Sequence, residues 1–116
     1  MHARLKSIMS PDLDYGASPN DPEDCCVFIE AEIGPANSEG GDVFSFEVIT
    51  PAAIKSIPAP SWLGGYLLIP IFSWAGIEEA IAKLLLQCSG SDWDEVSNKL
   101  SRSLGWEFEG YVPNPS

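Results

Sequence analysis

The chain has 116 residues, 45% of them hydrophobic, which is enough for one globular domain with its own core. Seventeen acidic residues against six basic ones give a formal net charge of -11 and an isoelectric point near 4.1. Because a surface of this sign repels nucleic acid and anionic membranes, the composition excludes both as direct partners. We therefore expect a single domain over residues 1–116 with no nucleic-acid or membrane partner.

The acidic residues are concentrated in the N-terminal half of the chain. No Lys or Arg occurs between Lys6 and Lys55, whereas ten Asp and Glu residues fall in that stretch. This half therefore carries a field of one sign. Such a field either only solubilises the surface or provides a docking surface for a basic partner.

Histidine and cysteine usage restricts the possible chemistry. The single histidine, His2, follows the initiator Met, so a nucleophilic triad or a zinc site has no candidate. No glycine-rich phosphate loop and no calcium-loop spacing is present. We predict no catalytic residue, no metal and no cofactor, and a pair of strand-borne carboxylates is the enzymatic alternative that stays open. The three cysteines are odd in number and no signal peptide precedes them, which argues against a secreted protein held by disulfides. We therefore expect the protein in the reducing cytoplasm.

The first elements in chain order are a strand and an acidic loop. Residues 3–9 are predicted to form the strand. Residues 10–24 contain three prolines and a glycine and are too polar and too broken to hold a core. Because long loops often carry function, their carboxylates Asp21, Glu23 and Asp24 are candidate binding residues.

Two alternating segments then predict a long β-hairpin. Residues 26–34 and 42–50 each place apolar side chains at every second position and are joined by a glycine-rich turn. Glu30 and Glu32 share the outward face of the first strand. Glu47 joins them if the hairpin register pairs the polar sides of the two strands.

The middle of the chain is uncharged and irregular. Residues 50–57 predict one or two helical turns, with a threonine as N-cap and a proline at the first helical position. Residues 66–72 predict a fourth strand, in which Pro70 favours an edge position or a bulge. Although 22 uncharged residues separate Lys55 from Glu78, prolines and glycines interrupt them, and we interpret the stretch as loop plus strand.

Two helices are predicted next. Glu78 and Glu79 are assigned to the first turn of the first helix, which Gly90 ends. The second helix is predicted to begin at Ser91, with Asp94 three residues on as in a capping box. The inner faces of these helices are apolar: Ile77, Ile81, Leu84, Leu85 and Cys88 in the first, Trp93, Val96 and Leu100 in the second.

The C-terminal segment "WEFEGY" predicts a closing strand. Trp106 and Phe108 point to one face at period two, and Glu107 and Glu109 point to the other. The complete pattern predicts an α+β fold, a two-layer sandwich of a mostly antiparallel sheet of about four or five strands, with two C-terminal helices packed on one face.

Three segments, "RLKSIMSPDL", "GGDVFSFEVITP" and "GSDWDEVSNKLSRSLGWEFEGY", resemble the Immunity protein 8 family of bacterial polymorphic-toxin systems. The last segment, a Trp-bearing helix followed by a strand, is the most specific of the three. The resemblance implies an α+β immunity protein, encoded beside a toxin that it neutralises by binding in the bacterial cytoplasm.

We therefore expect a stoichiometric toxin inhibitor, not an enzyme, which binds a basic toxin domain through an acidic surface. The alternatives are an acidic adaptor or nucleic-acid mimic without a toxin partner and a small carboxylate-dependent enzyme. The candidate toxin-binding residues are the carboxylates of the loop, the sheet and the last strand: Asp21, Glu23, Asp24, Glu30, Glu32, Glu47, Glu107 and Glu109.

Overall fold

A computed structural model describes residues 1–106, and of Trp106 the backbone only. Its strands and helices follow one another as β1 (Ala3–Met9), β2 (Cys26–Pro35), β3 (Asp42–Ile49), a short 3₁₀ helix (Pro51–Ser56), β4 (Tyr66–Leu68), α1 (Trp74–Gln87), α2 (Trp93–Leu100) and β5 (Gly105–Trp106). The strands form one sheet in the order β1-β2-β3-β4, and β5 also pairs with β3. The predicted α+β class is confirmed.

The predicted hairpin is confirmed, with an antiparallel register that runs from Cys26 opposite Ile49 to Ile33 opposite Asp42. The turn between the strands brings two glycines into backbone contact. A Cβ atom on Gly34 would lie 2.1 Å from the carbonyl oxygen of Gly40, so only glycine fits there. The close approach at Gly34 and the positive φ of Gly40 (87°) explain why the turn is rich in glycine.

The core lies between the inner face of the sheet and the two helices. Ile29, Phe44 and Val48 on the sheet are completely buried, as are Ile77 of α1 and Leu100 of α2. The alternation in β2 and β3 and the apolar stripes of both helices therefore face one another, as predicted. This packing covers the inner face of the sheet with helices.

β4 is shorter than the predicted strand over residues 66–72. It ends at Leu68, two residues before Pro70, and runs parallel to β3 at one end of the strand order. The predicted edge position is right and the predicted length is wrong. Pro70 has no N–H for a ladder bond, and the backbone leaves the sheet before it.

The helices begin at different residues from those predicted. Ser73 caps α1 by accepting a hydrogen bond from the Gly76 N–H at 3.1 Å, so Glu78 and Glu79 lie in the second turn and are not charges at the helix end. Asp92, instead of Ser91, caps α2, accepting from the Glu95 N–H at 2.9 Å. In the second helix, the better-placed side-chain oxygen of Asp92 takes the capping role predicted for Ser91.

The described part of the closing strand is short. Gly105 lies opposite Ser45 and Trp106 opposite Phe44, in an antiparallel ladder with β3. The positions predicted for Glu107, Phe108 and Glu109 lie outside the described residues.

Candidate functional site

The hairpin register brings three candidate carboxylates to the outer face of the sheet. Phe28 pairs with Glu47, and Glu30 pairs with Ser45, so Glu30 and Glu47 are diagonal neighbours. Glu32 follows on the same strand and face. We refer to Glu30, Glu32 and Glu47 as the acidic face; all three side chains are half-buried.

No ion pair within the described part of the chain neutralises the acidic face. The ion pairs within residues 1–106 are Glu79–Lys83 on α1 and Glu95–Lys99 on α2, so none of them involves the acidic face. Lys6, at the β-bulge in β1, donates its Nζ to the Ser38 carbonyl in the hairpin turn. Like charges therefore lie side by side on the acidic face. Their repulsion is unfavourable for folding, and the carboxylates are available to a cationic partner.

The loop carboxylates lie at one end of this surface. Asp21 forms a turn in which its Oδ1 accepts from the Glu23 N–H at 3.0 Å and its carbonyl from the Asp24 N–H at 3.1 Å. Asp21 and Asp24 line a surface cleft of about 480 Å³ together with Cys25 and Cys26. All three carboxylates of the turn are exposed.

Cys26 connects the loop carboxylates to the acidic face. Its Sγ donates to Glu47 Oε2 at 3.4 Å. Burial, followed by the hydrogen bond and charge of Glu47, raises the pKa of Cys26 to about 11. Burial also raises the pKa of Cys25, to which the charges of Asp21 and Asp24 contribute. The loop and sheet carboxylates therefore act on adjacent residues at the start of β2.

The acidic loop is fastened to the helix layer. The Trp74 indole donates its Nε1–H to the Ala17 carbonyl at 2.8 Å. The Tyr15 ring packs on the same indole, with the two ring centroids 5.0 Å apart. Tyr15 also donates its hydroxyl to Glu78 Oε1 at 3.1 Å, and this contact raises the pKa of Tyr15. These contacts position the loop, and they give Glu78 a partner that the sequence pattern did not indicate.

Sequence reasoning also missed a group of exposed apolar side chains in β4 and in the segment just before it, next to β3. Trp62 is fully exposed (101%), and Leu63 (55%) and Leu68 (57%) are more than half exposed. Together with Tyr66 they form what we refer to as the apolar rim. Trp62 lies between a proline-rich stretch and two glycines. That setting signals a loop, but no periodicity indicates whether the indole is buried.

Two further features concern metal ligands and membrane-spanning helices. Over residues 1–106, no three His, Cys, Asp or Glu side chains are grouped as metal ligands would be. None of the helices within that range combines the length and apolarity that a bilayer crossing requires. Glu107 and Glu109, the last two candidates, lie outside the described residues.

Comparison with known proteins identifies the family. The family model described as Immunity protein 8 matches residues 3–111, nearly the whole chain. No curated protein and no solved structure matches. The matched range includes the acidic loop, the hairpin, both helices and the whole C-terminal segment "WEFEGY". The chain therefore belongs to the Immunity protein 8 family.

Proposed function

We propose that the protein is an immunity protein that neutralises a cognate bacterial toxin by stoichiometric binding in the cytoplasm. The observation that carries this proposal is the family match over residues 3–111. The toxin domain is encoded by a neighbouring gene, and the protein acts on it by occupying a surface, without a reaction of its own.

The acidic surface is the proposed binding site on this protein. Its parts are the acidic face, the turn carboxylates Asp21, Glu23 and Asp24, and the C-terminal Glu107 and Glu109. Two features support it. The net charge of -11 favours fast encounter with a basic partner, and the acidic face lacks ion-pair partners within residues 1–106. A cationic toxin surface relieves the repulsion between its carboxylates.

Co-expression tests the proposal. The C-terminal domain of the secreted protein encoded upstream is induced in a bacterial host, with and without this chain. We expect growth to stop when the domain is produced alone and to continue when the chain is present. Continued toxicity, with both proteins present as soluble species, would contradict the proposal.

A binding panel separates an immunity protein from a nucleic-acid mimic. An immunity protein binds its cognate toxin domain far more tightly than it binds unrelated basic proteins, because specificity needs matched contacts beyond charge. A mimic binds unrelated nucleic-acid-binding proteins with similar affinity. Equal binding across such a panel, lost at high salt, would favour the mimic.

A further inference from the structure

The apolar rim is an exposed group of large side chains with no role in the fold described above. Trp62 is fully exposed, and its neighbours Leu63 and Tyr66 are also exposed. Tryptophan and tyrosine are the residue types most enriched at the energetic centres of protein interfaces. A fully exposed indole therefore stands out as an interaction candidate on a protein proposed to act by binding.

Backbone contacts place Gly65 and Tyr66 next to the acidic face, and the length of the connecting chain keeps Trp62 near them. The Gly65 carbonyl accepts a hydrogen bond from the Glu47 N–H at 2.9 Å. Tyr66 is the register partner of Glu47 across the parallel β3–β4 pair, so the two side chains share a face of the sheet. Trp62 is three residues before Gly65, and at about 3.8 Å per residue its Cα lies within about 11 Å of the Gly65 Cα.

We propose that Trp62 is the apolar anchor of the toxin-binding surface, an inference that rests on the proposed function. Leu63 and Tyr66 lie beside Trp62, and the acidic face is the charged part of the same surface. The matching toxin surface has an apolar pocket for the indole, bordered on one side by Lys or Arg side chains. Arg102 lines the same shallow cleft as Trp62, so a cation of this protein also borders that cleft.

The negative charge of this protein favours a basic toxin over two other possible occupants of the apolar rim, a second copy of the chain and a lipid bilayer. A second copy of this chain would bring another protein of net charge -11, with its own acidic face, against Glu47. An anionic bilayer would be repelled for the same reason. A basic protein is attracted by the carboxylates and covers the indole at the same time, which matches the arrangement of an apolar centre with charged surroundings.

The test compares Trp62→Ala with a matched exposed residue at the opposite edge of the sheet. Leu86 on α1 is 78% exposed and lines a groove with β1, so Leu86→Ala removes a similar exposed group elsewhere. The probe is the purified C-terminal domain of the secreted protein encoded upstream, and calorimetry gives the Kd. We expect Trp62→Ala to raise the Kd at least about 30-fold, which corresponds to about 2 kcal/mol, and Leu86→Ala to change it less than about threefold.

Urea unfolding of both variants shows whether folding is affected. Both midpoints should equal the wild-type value, because neither side chain is buried. A Kd for Trp62→Ala within about threefold of wild type would overturn this inference and leave the proposed function intact. No binding by the wild-type protein would overturn both.

Light scattering and vesicle sedimentation test the other occupants. We expect a monomer in solution and no sedimentation with phosphatidylserine-containing vesicles. A dimer that Trp62→Ala dissociates would assign the apolar rim to a second copy of the chain and overturn the inference. Vesicle binding that depends on Trp62 would assign the apolar rim to a lipid surface and would also overturn the inference.

Discussion

Removing the charges of the acidic face should stabilise the protein. The change is the triple substitution Glu30→Gln, Glu32→Gln and Glu47→Gln, which keeps the shape of each side chain. Glu30 and Glu32 are two residues apart on β2, about 6.6 Å at about 3.3 Å per residue. Glu30 and Glu47 are diagonal neighbours across the hairpin, a relation with a separation of about 7–8 Å.

These distances set the expected magnitude. At about 7 Å in water, the repulsion between two unit charges is about 0.6 kcal/mol. A Debye length of about 8 Å at 0.15 M salt reduces this to roughly 0.25 kcal/mol for each pair. Two close pairs therefore lower the free energy of unfolding by about 0.5 kcal/mol at 0.15 M salt and by about 1 kcal/mol at 0.01 M salt.

Urea unfolding at several salt concentrations measures this effect. We expect the triple variant to be more stable than wild type at 0.01 M salt, with the gain close to zero at 1 M, where the Debye length is about 3 Å. A triple variant that is less stable than wild type by more than about 1 kcal/mol at low salt would refute the reasoning, because the carboxylates would then make contacts that stabilise the fold.

The same variant should bind the toxin domain more slowly. We expect the association rate to fall about tenfold at low salt and its dependence on salt to flatten. The control variant Glu79→Gln, Asp94→Asn and Glu95→Gln removes the same number of charges from the helices. It should lose up to about 1 kcal/mol of stability, because Glu79 and Glu95 each form an ion pair within their helix, and it should bind at nearly the wild-type rate. Equal rates for all three proteins at every salt concentration would show that the acidic face only solubilises.

Three further predictions concern the thiol, the turn and the loop. At pH 8, Cys26 should react with iodoacetamide up to about 100-fold more slowly than an unperturbed thiol, because its raised pKa depletes the thiolate. The substitution Glu47→Gln should speed the reaction, and a wild-type rate equal to that of a free thiol would contradict this prediction. Gly34→Ala should lower the free energy of unfolding by about 1–3 kcal/mol, since the new Cβ meets backbone, whereas Gly64→Ala, with open space around it, should be neutral or slightly stabilising in the same urea melts. Trp74→Phe should lower stability by about 1 kcal/mol through loss of the indole hydrogen bond and should speed proteolysis of the acidic loop; unchanged cleavage would show that this contact does not hold the loop.

The sheet and the helix faces could be predicted because their patterns have one physical meaning. Alternation of apolar residues with Glu30 and Glu32 requires an inner and an outer face, and the helical stripe from Ile77 to Leu85 requires a core. The register that brings Glu47 beside Glu30 depends on the turn, where Gly34 and Gly40 approach closely, and alternation alone left it open.

Local competition explains what the sequence pattern did not predict. Asp92 replaces Ser91 as the cap of α2, and Ser73 starts α1 earlier than predicted, because their side-chain oxygens reach free N–H groups of the first turn. Glu78 was assigned to a helix end, but its partner Tyr15 is 63 residues away in the chain. The exposure of Trp62 likewise depends on how an irregular segment crosses the sheet edge, which no periodicity encodes.

Titration of the toxin domain's activity with the purified protein tests the central claim most directly. Stoichiometric neutralisation predicts that activity falls linearly and reaches zero at one equivalent, with a complex of the two chains recovered by size-exclusion chromatography. Loss of activity at far less than one equivalent would indicate turnover by an enzyme, and full activity at excess protein would contradict the assignment of this toxin as the partner and the proposal of neutralisation by binding.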